Sequence, residues 1–175
     1  MKELDIVFTK SKKKFPIASW AIMWWTNKEF SHVAKGSEVR EWGTRYFQSS
    51  EGKVNYEYEK FFLKKHKIMK RYKLLISDEL DMKIREACYK ESGNTYGVMQ
   101  NIGIALTDIY YWIFKKNIEN PWKKGRVCSE ILYTTCFKIM IPELNYDENK
   151  IKPHEIEDII LQYFVQEGDY WVLKS

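Results

Sequence analysis

The first part of the chain alternates apolar and polar residues in short runs, which is the pattern of β-strands. Branched and aromatic residues dominate these runs, and Gly36 and Gly52 mark turns between them. The apolar segment 15–25 has no clear period, so the sequence alone does not distinguish helix from loop there. The pattern predicts strands at residues 4–9, 30–34, 39–47, 53–58 and 69–76.

From Ser77 onward, apolar residues recur every three or four positions, the spacing of one face of a helix. Ser77 is a typical N-cap residue, and the helix that it begins is predicted to stop at residues 92–93. Further helices are predicted from 94 or 95 to 113, from 127 to 140 and from Pro153 onward, followed by a strand at 170–173. Strands followed by helices predict an α+β fold, in one domain that covers residues 1–175.

Composition excludes a disordered or collagen-like chain, because 45% of the residues are hydrophobic and 30% are charged. The net charge is +5, and lysines concentrate at residues 10–14 and 64–73. Such a surface can rest against a polyanion or an anionic membrane, although a solvated surface is the simpler interpretation. No nucleic-acid-binding motif accompanies the lysines, so we expect no nucleic acid partner.

Cysteine usage and the apolar segments predict a cytoplasmic protein. The three cysteines cannot all pair within one chain and none forms a CxxC motif, which favours a reducing compartment. The first residues lack the pattern of a signal peptide, and polar residues interrupt the apolar stretch 96–114, so no membrane span is predicted. A phage or viral product would show the same features. We expect no cofactor and no metal.

Cys128 is the cysteine whose surroundings in the sequence favour a reactive thiolate. It follows the basic, glycine-containing segment 123–126 and begins a predicted helix, where backbone N–H groups and nearby cations stabilise a thiolate. We therefore expect it to be partly accessible with a lowered pKa. Cys88 and Cys136 lie on apolar helical stripes and are expected to be buried and inert.

Three histidines can be weighed as partners of this thiol. His32 lies inside a short apolar strand, where the alternative is a core histidine bonded to backbone. His66 lies in the run KKHK and is expected to be solvated, and His154 follows Pro153 and is expected to be structural or exposed. A thiolate with a neighbouring imidazole is the minimum apparatus for acyl transfer through a thioester.

Several short motifs follow one another in an order that resembles a known family. They are LDIVFT near the N-terminus, SHV around His32, YFQSSEGKVNYE, NTYG, CSE at Cys128 and KPHEIEDI. Together they resemble the circularly permuted NlpC/P60 group of papain-like cysteine hydrolases, in which the histidine precedes the cysteine. The resemblance implies a papain-like antiparallel, barrel-like sheet packed against a helix that carries the nucleophile.

The resemblance also implies residue roles. Cys128 would be the nucleophile, His32 the base, and Gln48 the residue that orients the imidazole, at a position where the family has an acid. The Cys128 backbone N–H would contribute to the oxyanion hole, and Tyr96 is a candidate for a side-chain donor. The implied activity is a thiol hydrolase or acyltransferase that cleaves an amide or ester bond in a peptidoglycan peptide or a lipid-linked acyl substrate.

Two other functions remain open at this point. Because Gln48 carries no charge, the chain could be a binding module that keeps the cleft without turnover. The lysine-rich segments alternatively fit a basic adaptor for a membrane or a nucleic acid, and they also allow an enzyme to make peripheral membrane contact. The sequence predicts no oligomeric state.

Overall fold

A computed structural model describes residues 1–12, 17–39, 43–50, 53–95 and 127–174, together with residues 107, 110, 111, 113–116 and 118. Within this part of the chain, seven strands form one sheet and helices flank it. The strands are β1 (Lys2–Ser11), β2 (His32–Val39), β3 (Gly43–Ser50), β4 (Lys53–Tyr58), β5 (His66–Ile76), β6 (Phe164–Glu167) and β7 (Tyr170–Leu173). The helices are α1 (Ile17–Thr26), α2 (Glu59–Lys65), α3 (Asp78–Glu91), α4 (Cys128–Leu132), α5 (Lys138–Met140) and α6 (Pro153–Tyr163).

The strand order is β4–β3–β2–β1–β5–β7–β6, and this arrangement confirms the α+β class. A purely antiparallel sheet is the wrong expectation, because β5 and β7 run parallel, with Leu74 opposite Trp171. Parallel neighbours need a long connection, and the helical segments between Ile76 and Phe164 supply one. The other neighbouring pairs are antiparallel.

Most predicted strands are confirmed within longer or shifted elements. β2 begins at His32 and β3 at Gly43, both later than predicted, and Gly43 opens β3 with a φ of 73°. A positive φ favours glycine, which explains why the strand starts there. The seven-residue helix α2 and the four-residue strand β6 were not predicted, since each is too short to show a period.

Some of the predicted helices are confirmed, and one lies largely outside the described residues. α3 and α6 are confirmed, and most of the unassigned segment 15–25 lies in α1. The predicted helix from 94 or 95 to 113 lies largely outside the described residues, as does much of the apolar stretch 96–114. Among the helices in the described part of the chain, none is long and apolar enough to cross a bilayer.

The predicted helix 127–140 is present, but its middle is wider than an α-helix. A π-helical segment, Tyr133–Phe137, separates α4 from α5. Thr134 and Thr135 each donate a side-chain hydrogen bond to the carbonyl four residues earlier, at 3.0 and 2.6 Å. Such bonds bend helices, and π-turns of this kind occur often near functional sites.

The two faces of the sheet bury different residues. Leu4, Ile6 and Phe8 alternate along β1 toward the main core, which α3, α4 and α6 cover. Val7 points to the opposite face, where it packs with a smaller cluster of Ala34, Tyr46 and Phe62. Phe62 belongs to α2 and stacks on Tyr46 with ring centroids 4.2 Å apart, so α2 closes this second face.

A buried carboxylate ties α6 to the sheet. Glu157 has a 1% exposed side chain and accepts hydrogen bonds from Lys70 at 2.6 Å, Tyr72 at 2.7 Å and Lys28 at 3.2 Å. Burial alone would raise the pKa of Glu157, but these three donors outweigh it and lower the pKa. The ionised carboxylate therefore stabilises the folded state.

Candidate active site

The three residues to which the family resemblance assigns catalytic roles lie together in the folded chain. His32 begins β2, Gln48 lies in β3, and Cys128 is the first residue of α4. The His32 Nε2–H donates to Gln48 Oε1 at 2.8 Å, and the ring also forms a hydrogen bond with the Cys128 thiol. Because Nε2 is engaged by Gln48, Nδ1 is the nitrogen left to face the sulfur.

Local packing explains this convergence. β2 pairs with β3 in antiparallel register, with Lys35 opposite Phe47, and α4 packs against both strands. Ser129 joins the first turn of α4 to the segment before α6, because its hydroxyl donates a hydrogen bond to the Ile151 carbonyl at 2.6 Å. The Glu130 carboxylate accepts the Val127 N–H at 3.4 Å, as an N-terminal cap does.

The electrostatics of the site favour an ion pair. Burial raises the pKa of Cys128, but the His32 imidazolium and hydrogen bonds from the backbone of Val33 and Ser129 outweigh it and lower the pKa. Burial lowers the pKa of His32, but the Cys128 thiolate, the bond to Gln48 and the charge of Glu57 outweigh it and raise the pKa. These opposite shifts favour the thiolate and the imidazolium more than the same two groups would be favoured apart in water.

Cys128 is less accessible than predicted. Its exposed fraction is 5%, and that of His32 is 9%. The reason is that Cys128 faces the sheet, where the first turn of α4 packs on β2 and β3. Low exposure strengthens the attraction between the two charges, since the pair is poorly screened by water.

A second layer of polar residues lies behind Gln48. Gln48 Nε2 donates to Glu57 Oε2 at 2.8 Å, and Lys65 forms an ion pair with Glu57 Oε1 at 2.8 Å. The sequence analysis missed Glu57 and Lys65. A hairpin register would have found Glu57, because Gln48 pairs with Asn55 and side chains two residues apart on a strand share a face.

His66 is not the purely solvated residue predicted from the run KKHK. Its half-buried ring stacks on His32 with centroids 5.0 Å apart, and Phe62 stacks on it at 4.7 Å. Ser11 pairs with His66 across β1 and β5, which brings the start of β5 beside the start of β2. The sequence predicted β5 to begin only at residue 69, so the contact of His66 with His32 was not predicted.

The predicted burial of the other two cysteines is confirmed, since both are 0% exposed. Their thiols contact each other, and a hydrogen bond from Cys136 is the main reason that the pKa of Cys88 falls to about 7. Burial raises the pKa of Cys136. Cys88 therefore has a perturbed thiol that labelling experiments must control for, although it is buried.

Other sequence predictions fall elsewhere. His154 lies in the first turn of α6, as predicted. Tyr96 and the basic segment 123–126 lie outside the described residues. Within the described residues, no group of three or more His, Cys, Asp or Glu side chains is arranged to hold a metal ion.

No family model matches the chain, and no curated protein matches it. Its function must therefore be inferred from the geometry of this site.

Proposed function

We propose that the protein is a cysteine hydrolase or acyltransferase of permuted papain-like architecture that cleaves an amide or ester bond through a thioester on Cys128. The hydrogen-bonded arrangement of Cys128, His32 and Gln48 carries this proposal. A thiol beside an imidazole, with a hydrogen-bond acceptor behind the ring, is the constellation that thiol acyl transfer requires. The opposite pKa shifts of the two ionisable groups add to the argument, because such shifts concentrate at functional sites.

The chemistry follows from these positions. The Cys128 thiolate attacks the substrate carbonyl carbon, and the Cys128 backbone N–H stabilises the resulting oxyanion. His32 then gives its Nδ1 proton to the leaving amine or alcohol, and a thioester remains on the sulfur. Water, or a second acceptor in a transferase, loses a proton to His32 and attacks the thioester, which releases the acyl group and restores the thiolate.

The proposed substrates are a peptidoglycan peptide or a lipid-linked acyl group. A binding module without turnover is the alternative, and the opposite pKa shifts of Cys128 and His32 argue against it. A module that only binds has no need for a buried thiol and imidazole whose contacts favour their charged forms.

Acyl-enzyme formation tests the proposal. On mixing with p-nitrophenyl acetate, we expect a burst of p-nitrophenol and an acetyl adduct that peptide mass spectrometry maps to Cys128. Cys128→Ala should lose both signals, whereas Cys88→Ala should keep them. An adduct on Cys88 in the wild type, or equal bursts in the two variants, would contradict the assignment.

We also propose that the lysine-rich segments contact an anionic membrane surface. Lys10 lies opposite Lys67 across β1 and β5, and like charges in direct cross-strand pairs are unfavourable without a counter-charge. On α2, which leads into β5, Phe61 is 51% exposed and lies under the Lys64 ammonium. A bilayer interface accommodates both the exposed ring and the cations.

Vesicle sedimentation tests this contact. The protein should bind vesicles rich in phosphatidylglycerol and not vesicles of phosphatidylcholine alone. The pair Lys10→Glu and Lys67→Glu should weaken binding at least about tenfold, since each basic residue contributes about 1 kcal/mol near an anionic surface. The same charge change at Lys83 and Lys90 on α3 serves as the control. Equal loss in both pairs, or preference for DNA over vesicles, would overturn the proposal.

A further inference from the structure

Glu57 is a carboxylate that contacts Gln48 and that no step of the chemistry uses. We propose that Glu57 is a positioning residue, which holds the amide of Gln48 with its oxygen toward His32 and thereby keeps the proton on His32 Nε2. The inference rests on the proposed function, because it concerns the same Cys128–His32 pair. It adds a fourth residue, from β4, to a site that the sequence predicted to have three.

A chain of hydrogen bonds runs from the Cys128 sulfur to α2. His32 binds Cys128 with one side of its ring and donates from Nε2 to Gln48 Oε1 at 2.8 Å. The other end of the same amide, Gln48 Nε2, donates to Glu57 Oε2 at 2.8 Å. Gln48 is 1% exposed, so solvent does not supply alternative partners for its amide.

The direction of the Gln48 amide decides the protonation pattern of His32. An amide has a donor end and an acceptor end, and it can bind the imidazole in either orientation. If the NH₂ group faced the ring, Nε2 would have to be unprotonated, and the ring could not be an imidazolium. A carboxylate only accepts hydrogen bonds, so Glu57 requires the NH₂ group on its own side and leaves the carbonyl for His32.

The carboxylate itself is held in place. Lys65, at the end of α2, binds its second oxygen at 2.8 Å. Both oxygens are therefore engaged, one by Gln48 and one by Lys65. The charge of Glu57 also favours a protonated His32. Glu57 thus supplies a negative charge one hydrogen bond beyond Gln48.

This arrangement changes what Gln48→Glu is expected to do. From the sequence alone, a glutamate at this position should retain geometry and add a favourable charge. In the folded chain it would set two carboxylates against each other in place of the 2.8 Å amide–carboxylate bond. Two carboxylates at this distance repel or must share a proton, so one of them loses its charge.

A reciprocal exchange tests the inference. The rate of alkylation of Cys128 by iodoacetamide is measured against pH for Glu57→Gln, for Gln48→Glu and for the double variant. Glu57→Gln should raise the midpoint of the profile by about 0.5 to 1 pH unit. A neutral residue allows both orientations of the Gln48 amide and no longer favours the His32 imidazolium, which is the group that stabilises the Cys128 thiolate. Gln48→Glu should also disturb the profile. The double variant restores one carboxylate and one amide in exchanged positions, and its midpoint should return toward the wild-type value.

Controls separate this inference from the proposed function. Glu59→Gln makes the same charge change two residues away and should leave the midpoint unchanged. His32→Ala should shift the midpoint whether or not Glu57 has a role, so a shift there with none in Glu57→Gln overturns the Glu57 inference alone. A wild-type midpoint at the free-thiol value of about 8.5 would instead contradict the ion pair and the proposed function.

A spectroscopic measurement keeps the inference falsifiable if a variant folds poorly. Long-range ¹H–¹⁵N spectra report which ring nitrogens of His32 carry protons. Nε2 should be protonated in the wild type and in the double variant. A wild-type His32 with an unprotonated Nε2 would overturn the proposal without any substitution.

Discussion

The His32→Ala variant is expected to lose the fast alkylation of Cys128 near neutral pH. Without the imidazolium, burial dominates and the pKa of Cys128 should rise to the free-thiol value of about 8.5 or above. At about pH 6, such a thiol is only about 0.3% thiolate. The wild-type thiolate is intrinsically less nucleophilic because its pKa is lower, which offsets part of the difference. The net loss at about pH 6 should therefore be about 10- to 100-fold.

This comparison is cleanest in a background without the other thiols. Cys88→Ala and Cys136→Ala remove the pair in which the pKa of Cys88 is lowered to about 7. His154→Ala is the control, because it removes an imidazole from α6, a helix that carries none of the three proposed catalytic residues. An alkylation profile that is the same in His32→Ala and in the wild type would show that His32 does not form an ion pair with Cys128.

The hairpin formed by β3 and β4 illustrates which parts of the site the sequence predicts and which it does not. The residue types around His32 and Cys128 made both of them candidates, because a histidine inside an apolar strand and a cysteine at a helix start are unusual placements. Their roles followed from the resemblance to a family. Gln48 followed only through the resemblance to a family. Glu57 depends on strand register, which local patterns determine poorly.

Long-range pairing explains the other differences. The stacking of His66 on His32 requires β5 to extend back to residue 66 alongside β1. The charged run KKHK does not alternate apolar and polar residues, so the sequence does not predict this part of the strand. The parallel pairing of β5 with β7 is similarly set by the helices between them, not by either strand. α3 and α6 were predicted well because their caps and apolar spacing are local.

Glu157→Gln should destabilise the fold by about 2 kcal/mol at neutral pH, because it weakens three hydrogen bonds to a buried carboxylate. Lys28 and Lys70 are partly exposed and can return to water, which keeps the loss below that of a fully buried pair. For a chain of this size, the loss corresponds to about 4–8 °C in melting temperature. Thermal unfolding followed by circular dichroism measures it.

The dependence on pH distinguishes this electrostatic contribution from simple loss of packing. Since the pKa of Glu157 is lowered in the folded state, the carboxylate stabilises the fold above the unfolded pKa of about 4.3. This contribution is lost as the pH falls through the lowered folded value. The difference between wild type and variant should therefore be full above about pH 5 and should shrink below about pH 4. Glu167→Gln, on the exposed end of β6, should change stability by less than about 0.5 kcal/mol at every pH. A Glu157→Gln deficit that stays constant down to the acid transition would mean that shape, and not charge, is what Glu157 contributes.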